Sequence, residues 1–392
     1  MTKARPHWGR AFVVSGCLPF AAPTSSGTRA ARRLVGVNEQ SNEVRPLSER
    51  VDAPAVAPVP VHADVATWRP ATVDDVDAIA QLTTAVELVD HPTWSTPREG
   101  LKDTFEVSYI DPATDTLLGF AHDGTLVAYG RATRSSTVES RVQAYAMGSI
   151  HPEWRGRGIG RQLMAWSLAR AQQHLAASES TLPGWVIMYT EESNTAAIRL
   201  GECAGLSIER YFTTMQRDLA LPIPEIQPPA DVALIQFTPE FAEATRLAHN
   251  DAFRDHWGSQ PSGTESWAKF VGGEVFRADL SWLAVEDAPG ADDAGPNGKR
   301  VVAYALASVN HDDWALQGFS STYIDLIGVA RHRRGQKLAP AVIAAQLRGA
   351  AAAGLERAIL DVDTASPTGA HTLYTGMGFV ATEREVALVL AY

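Results

Sequence analysis

Cysteine is almost missing: the 392 residues hold only Cys17 and Cys203, too few for a disulfide framework or a cysteine-built zinc site. No His-x-x-x-His pair and no acidic cluster stands at coordinating intervals, so no metal is expected. No run of 18 or more apolar residues occurs, which argues against a membrane-spanning helix. Positive charge is in short supply, with 34 Lys+Arg against 45 Asp+Glu and a net charge of 34 − 45 = −11. That balance disfavours nucleic acid as a partner held by bulk charge. What is present is ordinary globular composition, 45% hydrophobic and 20% charged, in a chain long enough for two domains. A soluble, cytoplasmic protein is expected.

The first sixty-odd residues read as a tail. Residues 1–38 carry Lys3, Arg5, Arg10, Arg29, Arg32 and Arg33 and no acid, and residues 51–62 read VDAPAVAPVPVH, an extended linker composition. Little packed structure is expected before about Val65, so residues 1–65 are assigned to a disordered extension. Val14-Ser15-Gly16-Cys17 has the look of a lipoprotein processing box, but the apolar run before it covers only residues 11–14, shorter than a signal segment requires.

The remainder repeats one plan. A strand and turn at Trp68-Arg69-Pro70-Ala71-Thr72 precede a helix near residues 76–86, opened by Asp74 and Asp75. Strands are expected at 117–120, 126–131 and 142–150, then a Gly/Arg turn, a helix to about His174, a strand at 185–189 and a helix near 195–203. Pro222, Pro224, Pro228 and Pro229 punctuate a linker. The order then recurs: a strand near 233–237, a helix near 241–252, strands at 282–286, 301–308 and 323–329, an Arg/Gly turn, a helix at 338–353, a strand at 358–362, a helix at 370–377 and a strand near 386–390. The turns at Arg155 and Arg334 lie about 180 residues apart, a period that means duplicated domains. The expected units are residues 66–220, a linker 221–231, and residues 232–392.

The chemistry gathers at the two turns. In the first, Arg155-Gly156-Arg157-Gly158-Ile159-Gly160 follows a strand ending at Ile150 and opens a helix. Glycines there let backbone approach an anion, and the helix N-terminus favours a phosphate. A Walker A loop is absent, and a Rossmann reading fails because the turn comes after several strands.

At these residues the chain resembles the GNAT acyl-CoA N-acyltransferase superfamily. The resemblance rests on Arg155-x-x-Gly158-x-Gly160 after Ile150 and Pro152, and on the Arg69-Pro70-Ala71-Thr72-x-x-Asp75 opening. The second unit adds Val329, Arg334-Gly335-Gln336-Lys337-Leu338-Ala339 and the ending Gly369-Ala370-His371-Thr372-Leu373-Tyr374-x-x-x-Gly378-Phe379. It spans about residues 66–392 and is similar to the tandem-domain actinobacterial, mycothiol synthase-like type. The resemblance implies an α/β fold of two tandem GNAT domains, each a mixed sheet splayed between its fourth and fifth strands. It further implies acetyl-CoA in the splay, direct attack by an amine, a carboxylate base and a tyrosine that protonates the thiolate. Cofactor contacts are then expected from Ile150, Arg155, Gly156, Arg157, Gly158, Ile159, Gly160 and Asn194 in unit one. In unit two they are expected from Ile327, Val329, Arg334, Gly335, Gln336, Lys337, Leu338 and Ala339.

The two copies differ in what they keep. Unit one has the fuller loop, but the family's tyrosine falls at Gly201, and its fourth strand has no carboxylate; Glu191 and Glu192 stand at the end of its fifth strand as alternative bases. Unit two carries Tyr374 at the acid's place and Asp325 on the fourth strand, the expected catalytic pair. Lys337 replaces the middle glycine of its loop, which is tolerated if the position is ordinary helix N-terminus and costly if it needs positive φ. Ser366 stands where many relatives have Asn. Asp255, His256 and Trp257 are expected to line the acceptor pocket, with Asp90-His91-Pro92 at the comparable place in unit one. The expected function is N-acetyl transfer to a small-molecule amine in unit two, with unit one binding CoA or structural. A CoA-binding pseudoenzyme, and chemistry in unit one, stand as alternatives. The oligomeric state is left open.

Overall fold

The computed structural model describes residues 45–365 and 369–392. The Val14–Cys17 box and Ser366 lie outside the described residues. In the first half, β1 (Val65–Arg69), α2 (Val76–Asp90), α3 (Arg98–Glu106), α4 (Pro112–Asp115), β2 (Thr116–Ala121), β3 (Leu126–Arg134) and β4 (Val142–Ile150) follow a short α1 (Leu47–Arg50). Then come α5 (Ile159–Ala176), β5 (Gly184–Glu191), α6 (Thr195–Cys203) and β6 (Ser207–Asp218). The second half holds β7 (Val232–Gln236), α7 (Ala242–Ala252), α8 (Thr264–Val271), β8 (Trp282–Asp287), β9 (Lys299–Ser308), α9 (Asp312–Gln317) and β10 (Ser321–Val329). It ends with α10 (Leu338–Ala352), β11 (Arg357–Asp363), α11 (Ala370–Gly376) and β12 (Val380–Ala391). Among the described residues no helix is long and apolar enough to cross a membrane.

The duplicated plan builds one continuous sheet of twelve strands, in the order β1-β2-β3-β4-β5-β12-β6-β11-β10-β9-β8-β7. The halves exchange their last strands. β12, from the C-terminus, pairs antiparallel with β5 (Leu388 opposite Met188), while β6 pairs antiparallel with β11 (Met215 opposite Leu360). β12 and β6 also pair with each other (Val386 opposite Tyr211), joining the halves at the sheet's centre. β6 is not legible as a strand in the sequence, because the charged residues Glu209, Arg210, Arg217 and Asp218 interrupt its apolar pattern. Nor does periodicity say which neighbour a strand takes.

Two loops reinforce the exchange. The segment after α2 reaches the second half: Ser95 N–H donates to Asp313 Oδ1 (2.8 Å), Thr93 Oγ1 to Glu383 (2.9 Å), and Gln317 Nε2 to Thr93 O (2.7 Å). The segment after α7 returns the arrangement: Gln143 Nε2 donates to Gly258 O (2.9 Å) and Glu139 N–H to Gln260 Oε1 (2.7 Å).

Residues 45–64 correct the expectation of an unpacked tail up to Val65. Leu47 is fully buried against Gly184 and Leu175, Val51 is buried, and Arg50 Nη2 donates to Leu182 O at 2.6 Å. The Ala/Pro/Val composition masked single apolar anchors that find a groove beside α5.

Because Leu388 sits fully buried between the halves, Leu388→Ala is expected to cost about 2–5 kcal/mol. Urea unfolding followed by fluorescence and by circular dichroism would show one transition moving to lower denaturant with both probes together, since the shared sheet ties both halves into one cooperative unit.

Candidate active site

The parallel ladder between β4 and β5 runs from Val142 opposite Gly184 to Tyr145 opposite Ile187 and then ends. Beyond it the strands part, and a cavity of about 330 Å³ opens between Ala146–Ile150 and Met188–Glu191. Its walls come from α2 (Glu87, Asp90), the turn (Arg155, Gly156), α5 (Gly160, Leu163, Ser167), α6 (Ala197, Leu200) with its N-cap Asn194, and Glu385 of β12.

The turn beneath is shaped for an anion. Gly156 and Gly158 adopt φ of 76° and 95°, left-handed values that glycine takes without a Cβ penalty. Gly158 caps the 18-residue α5 with no side-chain hydrogen bond, so the first-turn N–H groups and the positive end of the helix dipole face the cleft. Arg155 is held from two sides: Nη1 and Nη2 donate to Asp90 Oδ1 and Oδ2 at 2.6 and 2.9 Å, and Nε donates to Ile150 O at 3.1 Å. A bidentate pair of this kind fixes the guanidinium's plane. Residues before β1 brace the same turn: His62 Nε2 lies 2.8 Å from Arg157 O, and Arg157 stacks on Trp154 and reaches Asp64. Of the expected contacts in this unit, Ile150, Arg155, Gly156, Gly160 and Asn194 line the cavity. Ile159 is core, Gly158 acts through its backbone, and Arg157 braces the turn from outside.

Gly201 has a packing reason. A Cβ there would lie 3.0 Å from Leu388 Cδ2 and 3.3 Å from Met188 Sδ, so the exchanged strand occupies the space a larger residue would need. Tyr189 of β5 lines the cavity instead; burial, with the charges of Tyr145 and Glu385, holds its phenol well above the usual range. The sequence reading passed over Tyr189 and Glu385, and strand exchange is what brings the latter to this cleft.

Among the described residues, the second unit is buried at the same place. Pairing of β10 with β11 also stops early, at Tyr323 opposite Ile359, yet every residue of β10 is buried. Ile327, Val329, Leu338 and Ala339 join Tyr374 in one buried apolar cluster. Asp325 is fully buried at a bulge between Ile324 and Leu326 and accepts from Ser308 Oγ at 3.1 Å. Tyr374 is fully buried; its hydroxyl has no hydrogen-bond partner among the described residues, and burial raises its pKa well above the usual value. Gln346 is likewise fully buried with neither end of its amide partnered.

Of the two alternatives for Lys337, the loop of this unit takes the one with positive φ. Lys337 takes φ 60°, ψ 22°, a left-handed cap, while Gly335 has φ 79° and Gln336 is exposed. Pro340 in the first turn of α10 removes one of the N–H groups that α5 retains at Arg161. Arg334 is held by Asp255 Oδ2 (3.1 Å) and Ala252 O (2.9 Å).

Asp255, His256 and Trp257 have structural partners of their own. Asp255 is the counterpart of Asp90, pinning Arg334 and Arg331. His256 turns its Nδ1 to Trp257 O at 3.0 Å, and Trp257 packs on Trp185 of β5 and Phe212 of β6, with ring centroids 5.2 and 6.2 Å away. None of the three lines the cavity. Among the described residues no group of three His, Cys, Asp or Glu is placed to hold a metal ion.

A splay between parallel strands, floored by a glycine turn at a helix N-terminus and built twice in one chain, defines an acyl-CoA N-acyltransferase of tandem type. The chain belongs to the acetyltransferase (GNAT) family, whose model matches residues 81–205 and 244–379. It is 28% identical over 267 residues to the mycothiol acetyltransferase of Streptomyces avermitilis, covering 67% of this chain and 75% of that one. Identity to the mycothiol acetyltransferase of Thermobispora bispora is 30% over 232 residues, 59% and 70% of the two chains. The structure of a GCN5-related N-acetyltransferase from Sphaerobacter thermophilus superposes with a TM-score of 0.60 at 27% identity, covering 83% of this chain and 95% of that one. A tandem GNAT protein from the clavulanic acid biosynthesis pathway shares the fold, with a TM-score of 0.57 at 16% identity and coverage of 83% and 98%.

Asp90→Ala frees Arg155 and, if the turn holds the acyl-CoA of this family, is expected to weaken acyl-CoA binding about tenfold or more, the worth of a hydrogen bond to a charged group; calorimetric titration reads it. Lys337→Gly is expected to raise stability by about 1 kcal/mol through relief of the left-handed cap, read as a higher urea midpoint.

Proposed function

We propose that the chain transfers an acetyl group from acetyl-CoA to a primary amine of a small molecule, and that the transfer takes place in the N-terminal cleft. The observation that carries this reading is that the open splay and the fuller glycine turn belong to the same unit. The names of the mycothiol acetyltransferase relatives support acetyl as the group moved.

In this reading Arg155, Gly156 and the start of α5 hold the pyrophosphate, and Asn194 and Ile150 flank the chain that leads to the thioester. The edge of β4 beyond Tyr145 has lost its partner strand, so its backbone can pair with the pantetheine amides and donate to the carbonyl oxygen as charge develops there. The amine's lone pair forms the C–N bond, the C–S bond breaks, and protons leave the nitrogen. Glu191 at the end of β5 is the proposed base. Tyr189, kept protonated by burial, is the proposed donor to the departing thiolate.

A second reading keeps chemistry in unit two, with Asp325 as base and Tyr374 as acid. It is favoured by the buried, unpartnered Tyr374 hydroxyl and Gln346 amide, since such groups are rare without a partner. Against it stand the burial of every residue of β10, the left-handed Lys337 cap and Pro340.

Turnover of acetyl-CoA with a panel of primary amines separates these readings. Gly158→Glu, which puts a side chain and a negative charge into the anion turn, is expected to abolish turnover, with Tyr374→Phe retaining it within about threefold, less than one hydrogen bond's worth. The opposite pattern assigns the chemistry to unit two, and acetyl-CoA binding with no turnover on any amine would mark a pseudoenzyme.

A further inference from the structure

Four side chains meet where the two halves touch. Arg141 stands one residue before β4, Trp185 lies in β5, Arg210 in β6 and Trp257 in the segment after α7. The Arg141 guanidinium lies over the Trp185 ring, 3.9 Å from its centroid, and that of Arg210 over the Trp257 ring at 5.4 Å. The two indoles contact each other, with centroids 5.2 Å apart. Between β5 and β6, β12 offers only Ala387, Val389 and Ala391 to this face. Those short side chains leave room for Trp257 to settle between Trp185 and Phe212. Gln143 Nε2, donating to Gly258 O at 2.9 Å, fixes the backbone next to it. All four residues are half-buried, and none of them lines the CoA cleft.

The two cations lack a counter-charge. Among the described residues neither arginine forms an ion pair, and Arg141 Nη1 and Arg210 Nε are buried without a hydrogen-bond partner. The acids nearby are engaged elsewhere: Glu139 pairs with Arg254 at 3.6 Å, and Asp363 accepts from Ala365 N–H at 2.9 Å. Burial raises the Asp363 carboxyl, with the charge of Arg210 pulling the other way. Burial, and then the charge of Arg210, push the Arg141 guanidinium below its ordinary value, as two cations drawn together out of water require. Such an arrangement costs stability until an anion fills it, because buried donors want acceptors and like charges repel.

We infer that Arg141 and Arg210 form a binding site for a small oxyanion, a carboxylate or phosphate group, at the seam between the halves and apart from the CoA cleft. Stacking on Trp185 and Trp257 sets the planes of the two guanidinium forks in advance, which is what bidentate recognition of an oxyanion needs. The bound group neutralises the repulsion and supplies the missing acceptors. Trp257 arrives from the second half and the other three residues from the first, so the occupied site fastens the two halves together. The site is independent of which unit performs the transfer.

The test uses the full chain, titrated calorimetrically and melted with inorganic phosphate and with succinate, against sodium chloride at matched ionic strength. Because the glycine turn also suits an anion, each titration is repeated in Gly158→Glu. Phosphate or succinate is expected to bind, and to raise the melting temperature beyond the chloride control, in the wild type and in Gly158→Glu alike. Arg141→Gln and Arg210→Gln should each weaken that binding about tenfold or more, the loss of a hydrogen bond to a charged group. Arg141→Lys and Arg210→Lys keep the charge without the planar fork, and each should weaken it about threefold or more. A response to phosphate alone identifies a phosphate group as the ligand, a response to succinate alone a carboxylate, and either supports the site. Binding that vanishes in Gly158→Glu yet persists in the Arg141 and Arg210 variants belongs to the glycine turn and overturns the proposal. So does the absence of any effect beyond sodium chloride, and full affinity in both Lys variants overturns the role of the guanidinium forks even where a Gln variant fails to fold.

Discussion

The structure depends on one exchange of strands. β12 leaves the C-terminal half to lie between β5 and β6, and β6 leaves the N-terminal half to lie between β12 and β11. The pairing buries Val386, Ala387 and Leu388 completely, and apolar area removed from water is the largest favourable term available to a sheet. Two splays, two anion turns and the loops that cross between halves are all positioned by this central pair of strands. It also accounts for Gly201, whose neighbours Leu388 and Met188 leave no space for a larger residue. The same exchange brings Glu385 into the N-terminal cleft.

Each anion turn is tied by a carboxylate–arginine contact to the end of the first long helix of its half or the turn just after it, Asp90 to Arg155 and Asp255 to Arg334. Duplication preserved this device in both halves while the surroundings diverged. In the first half the turn keeps glycines at both left-handed positions and the helix keeps its first-turn donors. In the second, a lysine occupies one left-handed position, a proline removes a donor, and every residue of β10 is buried. The structural asymmetry thus runs opposite to the asymmetry of Asp325 and Tyr374 that the motifs suggest.

Much of the fold was legible in the sequence because its signals are local. The runs at 142–150 and 195–203 have their observed bounds, since strand alternation, the helical period and the Asn194 cap are read within a few residues. Glycines 156 and 158 pointed to the turn for the same reason. What stayed hidden was non-local. The partner of β12, the packing of Leu47, the pinning of Arg334 by Asp255 and the closing of β10 depend on residues far apart in sequence. The contacts of Asp255 with Arg334, of His256 with the Trp257 carbonyl and of Trp257 with Trp185 could not be read from the cluster of polar and aromatic groups there. Lys337 was legible as a departure from the loop pattern, but its left-handed backbone could be read only from the turn around it.

The measurement that bears most directly on this account is the stoichiometry of acetyl-CoA binding by calorimetry, in the wild type and in Gly158→Glu. The account predicts one site per chain in the wild type and none in the variant, because the open splay and the fuller turn lie together in the first unit. Two sites falling to one, with turnover retained in the variant, would contradict it and return the chemistry to Asp325 and Tyr374.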